Sequence, residues 1–238
     1  MAATALLAAN SFKSFAKTSS PLTGFNTNDN KVIFFHTGNS VNADHHEMIK
    51  HIADVKNTFG NVVLLHAGNE FTENSFSLKY DASLCYGNIV AATTKSYRII
   101  YKGDIKIGVI GANAGEAGII DNINAVSAYL KKEKNCHLVV CLSQLGYKNK
   151  NTVDDLNLAA TSSNLDIIIG GDSKNFQTHP VIVLNSKKEE VIIHAASGNP
   201  FACGMIKIDF DGQGRKKHIC FTDPSSKNTA PGRAMPAA

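Results

Sequence analysis

The residues of this chain best suited to chemistry are polar side chains that directly follow short apolar runs. Amide, imidazole, carboxylate and ammonium groups all occur at these positions. They are His36 with Asn39, His66 with Asn69, Gln144, and Asp172 with Lys174. Because ligands of open α/β sheets bind outside the carboxyl ends of the strands, groups at strand ends are expected to converge on one site. Nitrogen and oxygen donors are also the groups that bind divalent metal ions in proteins.

Five short motifs, in a fixed order at predicted strand ends, narrow this interpretation. They are His36-Thr37-Gly38-Asn39-Ser40-Val41-Asn42, His66-Ala67-Gly68-Asn69, Lys106-Ile107-Gly108-Val109-Ile110-Gly111, Leu142-Ser143-Gln144-Leu145-Gly146, and Gly170-Gly171-Asp172-Ser173-Lys174. They resemble the H-T-N-D-x-H-G, D-A-G-D, K-I-G-V-I-G, L-S-H-L-G and G-G-H-S/T-H motifs of the 5'-nucleotidase branch of the calcineurin-like metallophosphoesterases. The resemblance covers roughly residues 31 to 212. It implies a four-layer α/β/β/α sandwich.

The metal ligands of the resembled family are replaced in this chain. Their positions are occupied by Asn39, Val41, Asn69, Gln144, Asp172 and Lys174. The family holds two divalent ions about 3.5–4 Å apart, which requires anionic carboxylates between them. Asn69, at the bridging position, supplies no charge, and an ammonium such as Lys174 about 4 Å from a dication would be repelled by about 8 kcal/mol at an effective dielectric of about 20. The sequence therefore predicts a degenerate site that holds no metal and uses no cofactor.

A further loop of the family, G-N-H-E/D, carries a metal-ligating Asn and a catalytic His. Only a short segment separates Phe71 from Tyr97 here, too short for a helix, that loop and the following strand. Gly87-Asn88 is the one candidate remnant, but the residues around it are more similar to the family's later S-A-N-Y strand. We therefore expect a deletion that also removes the general acid.

Other chemical groupings in the sequence are weaker. Glu47 and His51 lie one helical turn apart as a zinc pair could, but no third ligand is identifiable, so a solvated helical turn is the simpler interpretation. His66 and His194 lie near strand ends and could form a residual polar site. The serines occur without a G-x-S-x-G elbow, and Gly111 to Gly115 lacks the lysine of a phosphate-binding loop.

Composition is that of one globular domain. Apolar residues make up 43% of the 238 residues and charged residues 18%, which excludes a wholly disordered chain. The net charge of +4 is modest, and the Lys131-Lys132-Glu133-Lys134 run is interpreted as a solvated helix end rather than a nucleic-acid patch. Five cysteines without C-x-x-C spacing argue against a disulfide framework, and we expect Cys136, Cys141 and Cys220 to be structural.

The hydrophobic periodicity predicts alternating helices and strands, followed by hairpins. Helices are predicted over Val41–Thr58, Asp121–Lys134 and Asp154–Ser163, each leading into an apolar strand that begins at Val62, Leu138 or Leu165. Three such steps indicate parallel strands with helices outside. After Pro180, closely spaced strands are predicted over Val181–Leu184, Val191–Ala195, Met205–Phe210 and Lys217–Phe221, with turns that favour hairpins.

The chain ends differ from the predicted domain, which spans residues 31–221. Residues 1–30 contain a short apolar stretch and then a Ser-, Lys- and Thr-rich stretch, similar to the end of an export signal, although no basic n-region is present. This indicates a periplasmic or cell-envelope protein, with a cytoplasmic location as the alternative. Residues 222–238 form an expected tail, and no apolar run reaches the roughly 20 residues of a membrane span.

The sequence therefore favours a catalytically inactive protein that acts as a binding or assembly subunit. The resemblance implies a second, carboxyl-terminal domain that this chain lacks, so a separate polypeptide or an envelope complex is the expected protein partner, and nucleic acid is not. The expected partner face consists of Phe71, Phe76, Phe176 and Phe201. The alternatives are a weak phosphoesterase or nucleotidase with a single metal at Asp172, His66 or His194, and a metal-free binder of small molecules.

Overall fold

The computed structural model describes residues 30–38, 53–54, 57, 60–67, 84–85, 97–171, 179–195, 203–222 and 235–236. In chain order the described elements are β1 (Lys31–Thr37), β2 (Val62–His66), β3 (Leu84–Cys85), β4 (Tyr97–Lys102), β5 (Ile105–Ala112), α1 (Ile119–Lys132), β6 (Leu138–Ser143), α2 (Asp155–Thr161), β7 (Ile167–Gly170), β8 (Val181–Leu184), β9 (Glu190–Ala195), β10 (Cys203–Phe210), β11 (Lys216–Thr222) and β12 (Met235–Pro236). Neither described helix is long and apolar enough to cross a membrane.

The strands form two sheets. The first sheet has the order β12-β11-β10-β1-β2-β3 and the second has the order β4-β5-β6-β7-β9-β8. In the second sheet β5, β6, β7 and β9 are parallel, with α1 and α2 in the connections between the first three of these strands. In the first sheet β1, β2 and β3 are parallel. The predicted α/β sandwich is thereby confirmed, and the parallel strands place their carboxyl ends together.

Two apolar cores hold the layers together. The core between the sheets contains the inward side chains of both, among them Phe34, Leu65, Leu142 and Ile206. A second core lies between the second sheet and the helices. All six residues of β6 are buried, because a parallel strand covered on both faces has no solvent side. In the first sheet, side chains alternate between the two faces, so Phe35 points to the outer face while Phe34 points into the core between the sheets. Phe35 is buried on that outer face as well.

The predicted helices differ from the observed ones mainly at their ends. α1 begins at Ile119, two residues before the predicted start, since Gly118 occupies the N-cap position with φ 68°. At the start of α2 the Asp154 carboxylate accepts a hydrogen bond from the backbone N–H of Asn157 at 2.7 Å, a standard N-cap. In the predicted helix Val41–Thr58 only Ala53, Asp54 and Asn57 are described, and these three are helical.

Both predicted hairpins form, but in different sheets. The turn after Leu184 joins the antiparallel pair β8–β9 in the second sheet. The turn at Asp211–Gly214 joins β10 and β11 in the first sheet, where the Asp211 carboxylate accepts hydrogen bonds from the backbone N–H groups of Gln213 and Arg215 at 2.9 Å. Between the hairpins the chain crosses from one sheet to the other, and β10 pairs antiparallel with β1.

An ion-pair cluster ties the two sheets at the amino-terminal end of β7. Asp166 is buried and bonds Lys131 of α1 at 2.7 Å and Lys216 of β11 at 2.8 Å. The backbone N–H of Val139 donates a third hydrogen bond to it at 2.7 Å. Burial raises the pKa of this carboxyl, but the two lysines outweigh burial, so the pKa lies below its usual value. The charged group therefore stabilises the contact between α1 and both sheets.

Cys136, Cys141 and Cys220, which were predicted to be structural, are free thiols. Cys136 and Cys141 are buried as predicted, whereas Cys220 is only partly buried. Burial raises the pKa of the Cys136 and Cys141 thiols above the usual value, which keeps them protonated and unreactive at neutral pH.

Candidate functional site

The carboxyl ends of parallel strands from both sheets meet at the end of the sandwich opposite Asp166. Ala67 follows β2 of the first sheet, while Gln144 and Gly171 follow β6 and β7 of the second. The backbone N–H of Gly171 donates to the Ser143 carbonyl at 2.7 Å, and that of Gln144 donates to the Ala112 carbonyl at 2.8 Å. These bonds extend the parallel ladder past the strand ends and fix the backbone at the predicted site.

Gln144 uses its side chain to bond the protein itself. Its amide N–H donates a hydrogen bond to the backbone carbonyl of Ala67, and the side chain is buried. The bond runs from the second sheet to the first. At the position where the resembled family has a metal-binding imidazole, this chain therefore has a donor turned toward a carbonyl, which is the wrong polarity for a cation.

Gly171 closes the same space from the β7 side. A side-chain carbon built on Gly171 would overlap the carbonyl of Ala67 and approach the Gln144 amide nitrogen to 2.5 Å. Only a glycine permits this approach of two backbones. The strand ends of the two sheets are thus in direct contact at Ala67, Gln144 and Gly171.

Two buried histidines form a second link between the sheets. His36 of β1 and His194 of β9 both point into the space between the sheets, with Nε2 of His36 2.7 Å from Nδ1 of His194. Their rings are perpendicular, with centroids 4.8 Å apart. Gly204, opposite His36 on β10, makes room for the pair, because an added side-chain carbon would lie 2.6 Å from Nε2 of His36 and 2.5 Å from Cε1 of His194.

Burial sets the protonation of His36 in this pair. Burial, reinforced by repulsion from His194, holds the pKa of His36 well below its usual value. The Nδ1 atom of His36 has no hydrogen-bond partner among the described residues. A neutral pair satisfies the contact, since one ring nitrogen donates and the other accepts. The hydrogen bond between neutral His36 and His194 therefore links the two sheets.

His66 lies on the other face of the first sheet. Its Nδ1 atom is 2.7 Å from the hydroxyl oxygen of Thr37, and both side chains are buried. Since Leu65 and Ala67 face the inter-sheet core, the side chain between them points away from it. The structure therefore does not bring His66 together with His194. Burial lowers the pKa of His66 from 6.5 to about 4, so this imidazole is neutral near pH 7.

A buried carboxylate that sequence reasoning missed lies beneath the strand ends. The hydroxyl of Ser143 donates a hydrogen bond to Asp155, which is fully buried, and accepts one from the backbone N–H of Leu145 at 3.1 Å. The same carboxylate lies behind Gly170, whose added side-chain carbon would be 2.9 Å from it. The sequence feature that could have predicted this carboxylate is the adjacent pair Asp154-Asp155. Only one of the two can cap α2, so the other is free to serve a different role. With its hydroxyl buried and donated to Asp155, Ser143 is not placed as a nucleophile.

Several predicted site residues cannot be placed. Outside the described residues lie Asn39, Val41, Asn69, Asp172, Lys174, the face of Phe71, Phe76, Phe176 and Phe201, the helical pair Glu47 and His51, and Gly87-Asn88. Within the described ranges, no three His, Cys, Asp or Glu side chains are grouped so that they could hold a metal ion. The described donors at the strand ends are an amide bonded to a carbonyl, a pair of imidazoles bonded to each other and an imidazole bonded to a hydroxyl, and they do not fit the two-metal centre of the resembled family.

The two facing sheets, the parallel strands with α1 and α2 outside, and the convergence of strand ends define the fold of the metallophosphatases. Solved structures agree. The 5'-nucleotidase precursor of Thermus thermophilus superposes with a TM-score of 0.57 at 16% identity, over 80% of this chain and 54% of that protein. The NAD nucleotidase of Haemophilus influenzae gives 0.59 at 13% identity, over 81% and 55%. A phosphatase of Mycoplasma pneumoniae gives 0.50 at 8% identity, over 82% and 93%.

These similarities concern the fold. The chain spans about half the length of the two nucleotidases that it resembles. No protein-family model matches the sequence, and no curated protein matches it at a significant level.

Proposed function

We propose that this protein is a catalytically inactive member of the metallophosphatase fold, similar to 5'-nucleotidases, that acts as a binding or assembly subunit of a larger complex. The observation that carries the proposal is the contact of Gln144 and Gly171 with the Ala67 carbonyl. It fills, with backbone and an amide donor, a place where a two-metal centre would need open space and cation ligands.

Electrostatics point in the same direction. Asn69 and Lys174 stand at positions where the resembled family places a bridging carboxylate and an imidazole. Two dications close together repel one another, and only anionic ligands offset that repulsion. The described strand ends supply neutral amide and imidazole groups instead. A chain that keeps the fold and its buried core without these ligands is better suited to present a surface than to cleave a phosphoester.

The partner, on this proposal, is a protein that covers the carboxyl end of the sheets. It is either a separate nucleotidase-type carboxyl-terminal domain or a component of an envelope complex, in keeping with the signal-like start of the chain and with a periplasmic location. The apolar residues proposed for this face are Phe71, Phe76, Phe176 and Phe201.

Metal content and turnover test the loss of chemistry. After incubation of the full chain with excess Mn²⁺ and Zn²⁺ and then dialysis, elemental analysis is expected to find no stoichiometric metal. Aryl phosphates and nucleoside monophosphates are expected to remain intact. Two bound metal equivalents with metal-dependent hydrolysis would overturn the proposal and favour the weak phosphoesterase. One equivalent that disappears in a His194→Gln variant would favour the single-metal form of that alternative.

Association tests the subunit role. Replacing Phe176 or Phe76 with Asp should release the native partner without unfolding the domain, because a buried charge without a partner is costly at an apolar interface. Leu184→Asp is the matched control, since Leu184 is 55% exposed on β8. Sedimentation of the native protein as a free monomer, or release by the control alone, would contradict the subunit role.

A further inference from the structure

A cavity of about 660 Å³ lies at the amino-terminal ends of the parallel strands, at the opposite end of the sandwich from Gln144 and Gly171. Its lining comes from α1, from the residues just before β6 and β7, from the β8–β9 turn with the start of β9, and from the β10–β11 hairpin. Cavities of roughly 300–1,000 Å³ are the size that holds small molecules. The cavity is therefore large enough for a ligand.

One end of the cavity keeps a positive charge after its ion pairs are counted. Lys131 and Lys216 both bond the carboxylate of Asp166, at 2.7 Å and 2.8 Å. The two lysines hold the pKa of Asp166 below its usual value, so this carboxyl is ionised at neutral pH. Two ammonium groups and one carboxylate leave a single positive charge. Arg215 also lines the cavity, but Asp211 balances its charge at 2.7 Å.

His137 adds a hydrogen-bond donor at the same end. Its Nδ1 atom accepts a hydrogen bond from the backbone N–H of Lys106 at 2.9 Å, and its carbonyl accepts one from Lys131 at 2.8 Å. Because Nδ1 is an acceptor, the ring carries its proton on Nε2. Nε2 lies beside Gly214, which also lines the cavity, since a carbon added to that glycine would be 2.7 Å from it. A positioned N–H group next to a net positive charge fits a carboxylate.

The other end of the cavity carries a negative charge. Glu190 begins β9 on the same face of the strand as Ile192, which belongs to the core between the sheets. It is half-buried, and in the described part of the chain its carboxylate makes no hydrogen bond or ion pair. Lys188 and Glu189 also line this end, and their formal charges offset each other. The carboxylate of Glu190 is therefore left for a cationic group of a ligand.

The two ends are separated by the width of one intervening strand. β7 lies between β6 and β9 in the second sheet. Neighbouring strands are about 4.8 Å apart, so the backbone at His137 and that at Glu190 are about 10 Å apart. Leu165, just before β7, and Ile219 of β11 give the cavity an apolar lining. Three extended residues span about 10 Å, so a ligand of that length reaches both ends.

We propose that this cavity binds a small zwitterion, with its carboxylate at His137 and the lysine–aspartate cluster and its ammonium at Glu190. A tripeptide with free termini has the required length and charges. Its apolar groups pack on Leu165 and Ile219. A simple anion or a metal cation matches only one end of the cavity. Because the cavity and the contact at Ala67 lie at opposite ends of the sandwich, this test and that of lost catalysis give independent results.

Isothermal titration calorimetry with the full chain and trialanine tests the proposal. N-acetyl-trialanine lacks the ammonium and trialanine amide lacks the carboxylate. Each is expected to bind at least about tenfold more weakly than trialanine, because each leaves one charged end of the cavity without a partner. 6-Aminohexanoate has both charges but no peptide groups, so it identifies the source of the ligand. Binding as tight as that of trialanine would support zwitterions in general, and weaker binding would support peptides.

Variants assign the two ends. Glu190→Gln is expected to weaken trialanine at least about tenfold and to leave N-acetyl-trialanine unchanged, since that peptide has no ammonium. His137→Asn can still accept from the backbone of Lys106 but loses the Nε2–H, so it is expected to weaken trialanine about threefold or more and to leave the amide unchanged. The matched control, Glu116→Gln, removes the same charge at an exposed position elsewhere. Circular dichroism verifies that each variant is folded.

Three results would overturn the proposal. The first is the absence of trialanine binding at about 10 mM peptide. The second is an affinity that stays the same when either terminus is capped. The third is an equal loss of trialanine binding in Glu190→Gln and Glu116→Gln. The capped peptides are compared on the unmodified chain, so they decide the question even if a variant does not fold.

Discussion

The buried imidazole of His66 makes the stability of this protein depend on pH in a defined direction. Burial lowers its pKa from 6.5 to about 4, so the unfolded chain takes up a proton at a higher pH than the folded one. A folded state that binds fewer protons loses stability as protons are added. The contribution of this group is therefore fully present above about pH 7.5 and is lost as the pH falls through 6.5 toward 4.

The size of the effect follows from the two pKa values. Between pH 8 and pH 5, a shift from 6.5 to about 4 lowers the free energy of unfolding by about 2 kcal/mol, and the full difference, reached below pH 4, is about 3 kcal/mol. Near pH 5 the slope approaches about 1.4 kcal/mol per pH unit, since the unfolded chain then carries almost one more proton.

Urea denaturation followed by circular dichroism at pH 8, 6 and 5 measures this dependence. His66→Asn is the informative variant, since its amide can still bond Thr37 but does not titrate. Its pH dependence should be smaller than that of the unmodified chain by about 2 kcal/mol between pH 8 and 5. Equal slopes for the two proteins, or an imidazole of His66 that titrates near 6.5 by NMR, would refute the reasoning.

Three further expectations follow from other contacts. Gly204→Ala should lower the free energy of unfolding by about 1–3 kcal/mol through overlap with the histidine pair, whereas Gly212→Ala, where the added carbon meets nothing within 4 Å, should cost less in the same denaturation series. Lys131→Met should lower the free energy of unfolding by about 1–2 kcal/mol at pH 7. Because the pKa of Asp166 is lowered, this difference between the two proteins should disappear in urea titrations as the pH falls through that lowered pKa. A difference that persists in acid would contradict the ion-pair explanation. Restoring family-type ligands should not restore phosphatase activity, since ligands of a shared metal centre act as a unit. The variant to test carries four changes: Asn39→Asp, Asn69→Asp, Gln144→His and Lys174→His. Phosphatase turnover in this quadruple variant would show that the chain still supplies the G-N-H-E/D loop of the resembled family.

The fold could be predicted because its strongest signals are local. The apolar runs from Val62 and Leu138 and the helical periodicity before Leu138 each lie within a short window, and the structure places a strand or helix at each of them. The sequence signals for both hairpin turns also lie within a short window. The crossing from β9 in one sheet to β10 in the other was not predictable, because strand propensity does not specify which sheet a strand joins.

The site was harder to predict than the fold because its contacts are distant in sequence. His36 and His194 are separated by 158 positions, and no periodicity indicates that they meet over Gly204. Gln144 could be recognised as a replacement from its motif, but its hydrogen bond to Ala67 depends on how closely the two sheets approach. Asp166 likewise became a link between layers only once α1 and β11 were in place.

The two sheets are bound by polar links at both ends of their shared core. Asp166 joins them at one end, and the histidine pair and Gln144 join them at the other. Spreading the sheets at either end would expose an unpaired buried polar group before any apolar area opened, so the sandwich has no soft hinge between its layers. On the proposed subunit role, a partner would recognise a preformed surface rather than induce one. For such an interface, variants should change the dissociation rate more than the association rate.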